Sequence, residues 1–389
     1  MLMKSELSYV MVTPYTIVKS RTGGIIARLL SRVDLELAGA QMFIPDEPFV
    51  RTYARLLGSQ NKKGNIQLLV NYVDQNFISG GRPHRILLLL FRGTDPCRKL
   101  SDTCGALYAE NRGIESLTGE TIRDTYADLI VDSNDPEKVS YFEPAVITPR
   151  CQKDANEDLE LIARFLAGRE TIVSNFEYPD PSIIEKTLVI IKPDNWTYAS
   201  SKPGTIIDMF SRTGMRIVGI KIHQFTQEEA LEFYGPVETT LKEKLAPEAA
   251  KKAAEILEKE FNVVLSEETK NLLTGSFGRD FAESRFADII EFMSGIRPGL
   301  NGNGKNVKTM ILVYEGEDAV KKIRDVLGPT DPLKAPEGTV RREFGSSIMV
   351  NTAHASDSTE SFNREKDIVK IHENFLRGII LEHLASCRG

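Results

Sequence analysis

The sequence is poor in cysteine, has no long apolar run and carries no excess of positive charge. Four cysteines occur in 389 residues. They are Cys97, Cys104, Cys151 and Cys387, and none forms a CxxC pair, so neither a zinc site nor a disulfide framework is indicated. The longest apolar run, Ile86 to Phe91, is far too short to cross a bilayer. Met1 to Ser8 lacks the apolar centre of a signal peptide. The formal net charge of −6 and pI near 5.6 argue against a surface that coats nucleic acid. The expectation is a protein of the reduced cytoplasm, with no membrane and no nucleic-acid partner. An anionic ligand would then need local positive charge. A hydrophobic content of 41% and a charged content of 27% describe a globular chain, long enough for two or three domains.

One order of elements occurs twice. Ser8 to Val12 reads as a buried strand ending at Thr13-Pro14. Gly23 to Arg32 then reads as a helix, Leu35 to Ile44 as a strand, Phe49 to Leu57 and Ile66 to Phe77 as helices, and Arg85 to Phe91 as a strand. Later, Thr187 to Ile191 is a strand ending at Lys192-Pro193, followed by a helix from Gly204 to Arg212 and strands at Arg216 to Phe225 and Met310 to Tyr314. Gly24, Ser31, Arg32 and Gly39 match Gly204, Ser211, Arg212 and Gly219, each 180 positions on. Gly93 matches Gly316 at a larger offset, so the second copy carries an insertion. It falls around Leu241 to Gly278, with Pro247 at an expected helix start. Thr121-Ile122-Arg123 matches Thr339-Val340-Arg341. Units of this length are homologous domains rather than a solenoid. The expected division is 1–150, a linker with a helix at 151–182, and 183–389, with a C-terminal helix from Lys370 to Ala385.

Chemistry gathers in the second copy. Ser347 to Val350 reads as a strand leading into Asn351-Thr352-Ala353-His354-Ala355-Ser356-Asp357-Ser358. Asp357 with Glu360 fits a capping box, which places His354 in the turn between strand and helix. Small neighbours leave the imidazole reachable, and a neutral imidazole is a good nucleophile. Lys192 closes a strand, Tyr234 ends a helix, Arg324 lies on the helix from Asp318 to Leu327, and Thr330 and Arg341 flank the loop Gly328 to Gly338. A lysine, two arginines, a threonine and an asparagine around a histidine suit a polyphosphate, whose oxygens guanidinium groups bind in pairs.

At these residues the second half resembles the nucleoside-diphosphate kinases. The resemblance rests on Ile191-Lys192-Pro193-Asp194, Leu327-Gly328-Pro329-Thr330-Asp331-Pro332, Gly338-Thr339-Val340-Arg341 and the His354 run, and covers about residues 183 to 370. It implies an α+β fold of two ferredoxin-like βαββαβ domains, each an antiparallel sheet covered by helices. It also implies γ-phosphate transfer from a nucleoside triphosphate to a nucleoside diphosphate through a phosphohistidine at His354. Glu365 matches the glutamate bonded to the other ring nitrogen. Lys192, Tyr234, Arg324, Thr330, Arg341 and Asn351 match phosphate and ribose contacts. Ser356 matches a serine close to the histidine, and Phe286 a base-stacking ring. A phosphate-contacting arginine is matched by Arg279 or Arg285, and the carboxylate expected after Tyr234 is absent, since Gly235 and Pro236 follow it. No carboxylate cluster suggests a resident metal; Mg²⁺ is expected on the nucleotide phosphates.

The first half resembles the same family with its chemistry removed. Thr13-Pro14-Tyr15 stands where Lys192-Pro193-Asp194 stands, Arg123 survives, and Tyr53 roughly aligns with Tyr234. The region aligned with His354 reads Val131 to Pro136 and has no histidine. The family's symmetric dimers imply that the two copies pair within one chain as a pseudo-dimer, through the first helix and second strand of each, with a further homo-oligomer left open. The insertion is expected to act as a helical lid. The rival to an active kinase is a silent nucleotide-binding or scaffolding protein.

Overall fold

The computed structural model describes residues 5–60, 66–107, 119–132, 134, 139–299 and 304–388. Of the stretch aligned above with His354, Ser133, Asp135 and Pro136 lie outside the described residues. In the first half, β1 (Glu6–Val12) is followed by α1 (Pro14–Val18), α2 (Thr22–Arg32), β2 (Glu36–Phe43), α3 (Glu47–Gln60) and α4 (Ile66–Asn76). The short hairpin of β3 (Ile78–Ser79) and β4 (Arg82–Pro83) precedes β5 (Ile86–Gly93) and α5 (Pro96–Cys104). Then come α6 (Ile122–Tyr126), a hairpin of β6 (Asp128–Val131) and β7 (Val139–Glu143), β8 (Val146–Ile147) and α7 (Gln152–Phe165). The main sheet runs β2-β5-β1-β8, and each pairing is antiparallel. Its inner strands are mostly apolar and buried along Leu7–Val12 and Ile86–Phe91, as strands covered on both faces must be.

The second half repeats the plan. It starts with β9 (Ile184–Ile191), α8 (Lys202–Ser211) and β10 (Arg216–His223). After β10 the chain forms α9 (Gln227–Phe261), α10 (Glu267–Leu273) and α11 (Arg279–Ser294). It returns as β11 (Thr309–Glu317), α12 (Ala319–Leu327), α13 (Val340–Phe344), β12 (Ala353–Ala355), α14 (Thr359–Ile368) and α15 (Phe375–Arg388). The sheet order β10-β11-β9-β12 matches that of the first half strand for strand. Both are the ferredoxin-like arrangement, so the fold is α+β. The chain divides into two compact units, one of residues 1–222 with 310–389, which holds both main sheets, and one of residues 223–309.

Within the larger unit the two halves share an apolar core. Val10, Ile25 and Leu29 of the first and Val189, Ile206 and Phe210 of the second belong to one buried cluster. α2 and α8 pack against each other, and they do so at glycines. A Cβ on Gly23 would stand 2.6 Å from the Gly204 carbonyl oxygen, and one on Gly204 would strike the Ala27 backbone. No residue but glycine lets two helix backbones come this close. The expected second-strand contact takes another form: β2 and β10 are not paired with each other. Instead Val173, from the linker, donates its N–H to Val218 O on β10 at 2.8 Å. The C-terminal helix ties the halves further. Leu376, Ile380 and Leu384 of α15 are buried with Tyr9, Tyr53 and Phe77 of the first half, each such aliphatic burial being worth about 1.5–3 kcal/mol.

In the smaller unit, Thr226 and Glu229 form a capping box and α9 runs on through Pro236 and Pro247 until Asn262 ends it in the left-handed region. Pro247 therefore starts no helix. α9 packs along α11, and that packing outweighs the bond a mid-helix proline removes.

Three other expectations are corrected. Ser347 to Val350 forms no strand: Ser346 N–H and Ser347 N–H both bond back to Val350 O, and Ile348 is exposed. The strand is β12, and His354 lies within it. The N-cap of α14 is Ser358, whose hydroxyl accepts from Ser361 N–H, rather than Asp357. The C-terminal helix begins at Phe375, after a break in which Lys370 takes φ +49°.

Candidate active site

β12 pairs antiparallel with β9, placing His354 opposite Ile190. Alternation along a strand sends neighbouring side chains to opposite faces. Ala353 and Ala355 are buried, while the His354 side chain keeps 22% of its surface exposed, so a solute can reach the ring. His354 Nε2 lies 3.1 Å from both carboxylate oxygens of Glu365 on α14. A carboxylate only accepts, so Nε2 carries the proton and Nδ1 is the unprotonated nitrogen. Glu365 is buried and is itself held by Ser356, whose hydroxyl donates to Oε2 at 2.7 Å and accepts from Leu188 N–H at 3.2 Å. Carboxylate, serine and histidine form one fixed group on β12, the residue after it and α14, tied to β9 through the Leu188 backbone.

Lys192 follows directly from β9. Its backbone N–H donates to Thr352 O at 2.9 Å, and Thr352 takes φ +73° to offer that carbonyl. Its ammonium donates to Asn351 Oδ1 at 2.7 Å. Asn351 spends its two amide protons on Thr330 O and Ile348 O. Burial, with the Arg341 guanidinium adding to it and Asp194 opposing, pushes the Lys192 ammonium down to about 7. An unpaired cation in such a place is costly, and an arriving anion would restore its charge. Arg341 donates to Gly328 O at 3.0 Å and to Ala353 O at 3.1 Å, joining the loop after α12 to β12. Arg324 and Thr330 are exposed at the end of α12 and in the loop beyond it.

The larger unit thus carries His354, Glu365, Ser356, Lys192, Asn351, Arg341, Arg324 and Thr330. Tyr234 and Phe286 belong to the smaller unit, on α9 and α11, and both are buried. In that unit Arg285 is ion-paired with Asp288 at 3.0 Å, while Arg279 is exposed. One residue escaped the sequence reading: Asn195, whose amide donates to both Lys192 O and Thr352 O. It pins the end of β9 to the residue before β12, and a lone asparagine after Pro193-Asp194 gives no sign of that role.

The first half shows what the site is built on. Thr13 N–H bonds Ala145 O at 3.1 Å, and Ala145 takes φ +61°, as Lys192 and Thr352 do. Val146 stands opposite Val12 and Ile147 opposite Met11, as Ala353 and His354 stand opposite Ile191 and Ile190. Arg123 donates to Gly105 O and Val146 O, as Arg341 does to Gly328 O and Ala353 O. The counterpart of His354 is therefore Ile147, not the stretch beginning at Val131, which enters the separate β6–β7 hairpin. Asp158 of α7 occupies the place of Glu365, with Tyr9 donating to it at 2.9 Å and Gln60 at 2.9 Å.

A buried carboxylate bonded to a strand-borne histidine, with a buried lysine just past the end of the neighbouring strand, marks out the candidate site of a ferredoxin-like domain. Comparison with known proteins agrees with that class. The family model for nucleoside diphosphate kinase matches residues 185–245 and 268–374. The nucleoside diphosphate kinase of Polynucleobacter necessarius is 33% identical over 178 residues, covering 46% of this chain and 86% of that protein. Nucleoside diphosphate kinase 2 of Protochlamydia amoebophila is 31% identical over 182 residues, covering 47% and 88%. Among solved structures, the Aquifex aeolicus nucleoside diphosphate kinase is 28% identical over 48% of this chain and 94% of its own, with a TM-score of 0.32. The chain belongs to the nucleoside diphosphate kinase family. Among the described residues no helix is long and apolar enough to cross a membrane.

Proposed function

We propose that residues 183–389 act as a nucleoside-diphosphate kinase by a two-step transfer through phospho-His354, and that residues 1–150 form a related domain without chemistry, joined by the linker 151–182. The observation that carries this reading is the Glu365 carboxylate on Nε2, which leaves Nδ1 as the nucleophile. Nδ1 attacks the γ-phosphorus, the bond to the bridging oxygen breaks, and the diphosphate leaves with the electron pair. Nε2 keeps its proton, directed at Glu365, which stabilises the positive ring. A β-phosphate oxygen of a second diphosphate then attacks the phosphorus, and the P–N pair returns to Nδ1. One site serves donor and acceptor in turn, giving ping-pong kinetics.

The charge of the transferring group falls to Lys192, Arg324 and Arg341, which preorganised cations stabilise without reorganisation. Thr330 and Asn351 are proposed as further nucleotide contacts, and Tyr234 and Phe286 on the strength of their motif positions. Mg²⁺ is taken as part of the substrate, carried on the nucleotide phosphates. The packing of α2 on α8 and the docking of α15 support an intrachain pseudo-dimer, in which the first half supplies packing surface.

The test is His354→Ala. Transfer should fall by at least about three orders of magnitude while nucleoside-diphosphate affinity persists, because the nucleophile goes and the phosphate cations stay. Turnover retained in the variant would overturn the assignment.

A further inference from the structure

Lys221 lies on β10 and is only 7% exposed. Its ammonium donates to Val369 O at 2.8 Å and to Lys370 O at 3.3 Å, and stands 3.8 Å from the centre of the Phe375 ring. Val369 is the C-cap of α14 and Lys370 the residue after it. The last carbonyls of a helix have no donor within it and carry the negative end of its dipole, so a buried cation there is well placed. Val369 N–H in turn donates to Glu365 O at 3.1 Å. A chain of hydrogen bonds therefore runs from Lys221 through Val369 to the residue whose carboxylate holds His354.

The first half makes the position informative. Gln41 stands there, 180 residues earlier and likewise two places after the matched glycine. Its amide nitrogen is buried with no hydrogen-bond partner among the described residues. The cation is thus present in the half that has His354 and replaced in the half that has Ile147.

We infer that Lys221 is a positioning residue for the phosphotransfer: bonded to the carbonyls of Val369 and Lys370, it fixes the helix end from which Glu365 addresses His354. The inference rests on the reading of His354 as nucleophile. The Lys221 ammonium is committed to backbone carbonyls, so its loss should act on the rate of transfer rather than on binding.

The experiment follows formation of acid-labile phosphoenzyme in a single turnover with γ-labelled ATP, ADP affinity by equilibrium dialysis, and amide exchange of segment 365–371, all on the full chain. Lys221→Met should slow phosphoenzyme formation about tenfold, the size of one lost charge-assisted hydrogen bond. Its ADP affinity should stay within about twofold. Exchange in segment 365–371 should quicken, and Lys221→Arg, which restores a cationic donor, should recover most of the rate. A Met variant with the wild-type rate, or one losing rate and ADP affinity together, would overturn the inference. A wild-type chain that forms no phosphoenzyme would instead refute the proposed function. In that event unchanged exchange in the Met variant would also overturn the role given to Lys221.

Discussion

The two halves share a sheet order and the same backbone contacts around the last sheet strand, while the side chains there differ, and the difference separates what holds this fold from what would do chemistry on it. The left-handed residue before the last sheet strand is kept, as Ala145 and Thr352. So is the arginine that bonds two carbonyls across the loop, as Arg123 and Arg341. These features survive where no counterpart of His354 remains, so they belong to the architecture. Arg341 accordingly has a structural duty beside any phosphate contact. What changes is chemical. Lys192 becomes Thr13, whose hydroxyl donates to Glu143 at 2.5 Å. His354 becomes Ile147. Glu365 becomes Asp158, whose carboxyl burial pushes up to about 7 and which now accepts from Tyr9 and Gln60 inside the core. The first half has turned its carboxylate from orienting a ring to satisfying buried hydroxyl and amide donors.

The seam between the halves should give the largest effect. Gly204→Leu would drive a side chain into the Ala27 backbone, where neither helix can yield. Overpacking of this kind typically costs about 1–3 kcal/mol or more. Thermal unfolding should show a clear drop in Tm, and the same change at Gly214, whose Cβ position is open apart from its positive φ, is not an equivalent control; Gly235→Ala, with open space around it, is. Equal Tm for Gly204→Leu and wild type would remove the close helix contact from the account.

The paired carboxylates sharpen the comparison next. Glu365→Gln should lower kcat by about ten- to a hundredfold, since an amide can neither fix the same tautomer as firmly nor offset positive charge on the ring. Asp158→Asn should leave kcat unchanged and act on stability alone. The sign follows from burial. A carboxyl raised to about 7 in the folded chain favours its protonated form, so its contribution is fully present below the unfolded value and is lost as pH rises towards 7. The pH dependence of unfolding across that window should therefore flatten in Asp158→Asn.

A smaller effect concerns Lys192. With its ammonium pushed down to about 7, much of it is neutral in the free protein at pH 8. Bound phosphate favours the charged form, so binding takes up a proton. Nucleotide affinity should weaken as pH rises above 7, by up to about tenfold per unit. Lys192→Met should bind more weakly and lose that slope in calorimetric titrations.

Much of the fold could be read from periodicity, because the inner strands are mostly apolar and α2, α8 and α12 each present one apolar face. β12 could not. It is three residues long, Ala-His-Ala, while Ile348 and Met349 nearby imitate a strand without being buried. The course of α9 through two prolines was hidden for a similar reason: tertiary packing decided it, not propensity. At the site, His354, Glu365 and Ser356 were legible because their spacing is a motif. Asn195 and Lys221 were not, since each acts on backbone carbonyls contributed by distant segments, and only the folded chain brings those together. Ile147 escaped because the β6–β7 hairpin separates it from any recognisable run.

The central claim is that one half carries the chemistry and the other the packing. Its most direct measurement is to mix the full chain with γ-labelled ATP, quench in base, and count and map the acid-labile label. The account predicts about one phosphate per chain, all of it in the peptide bearing His354. Label within residues 1–150, or label that persists in His354→Ala, would contradict it.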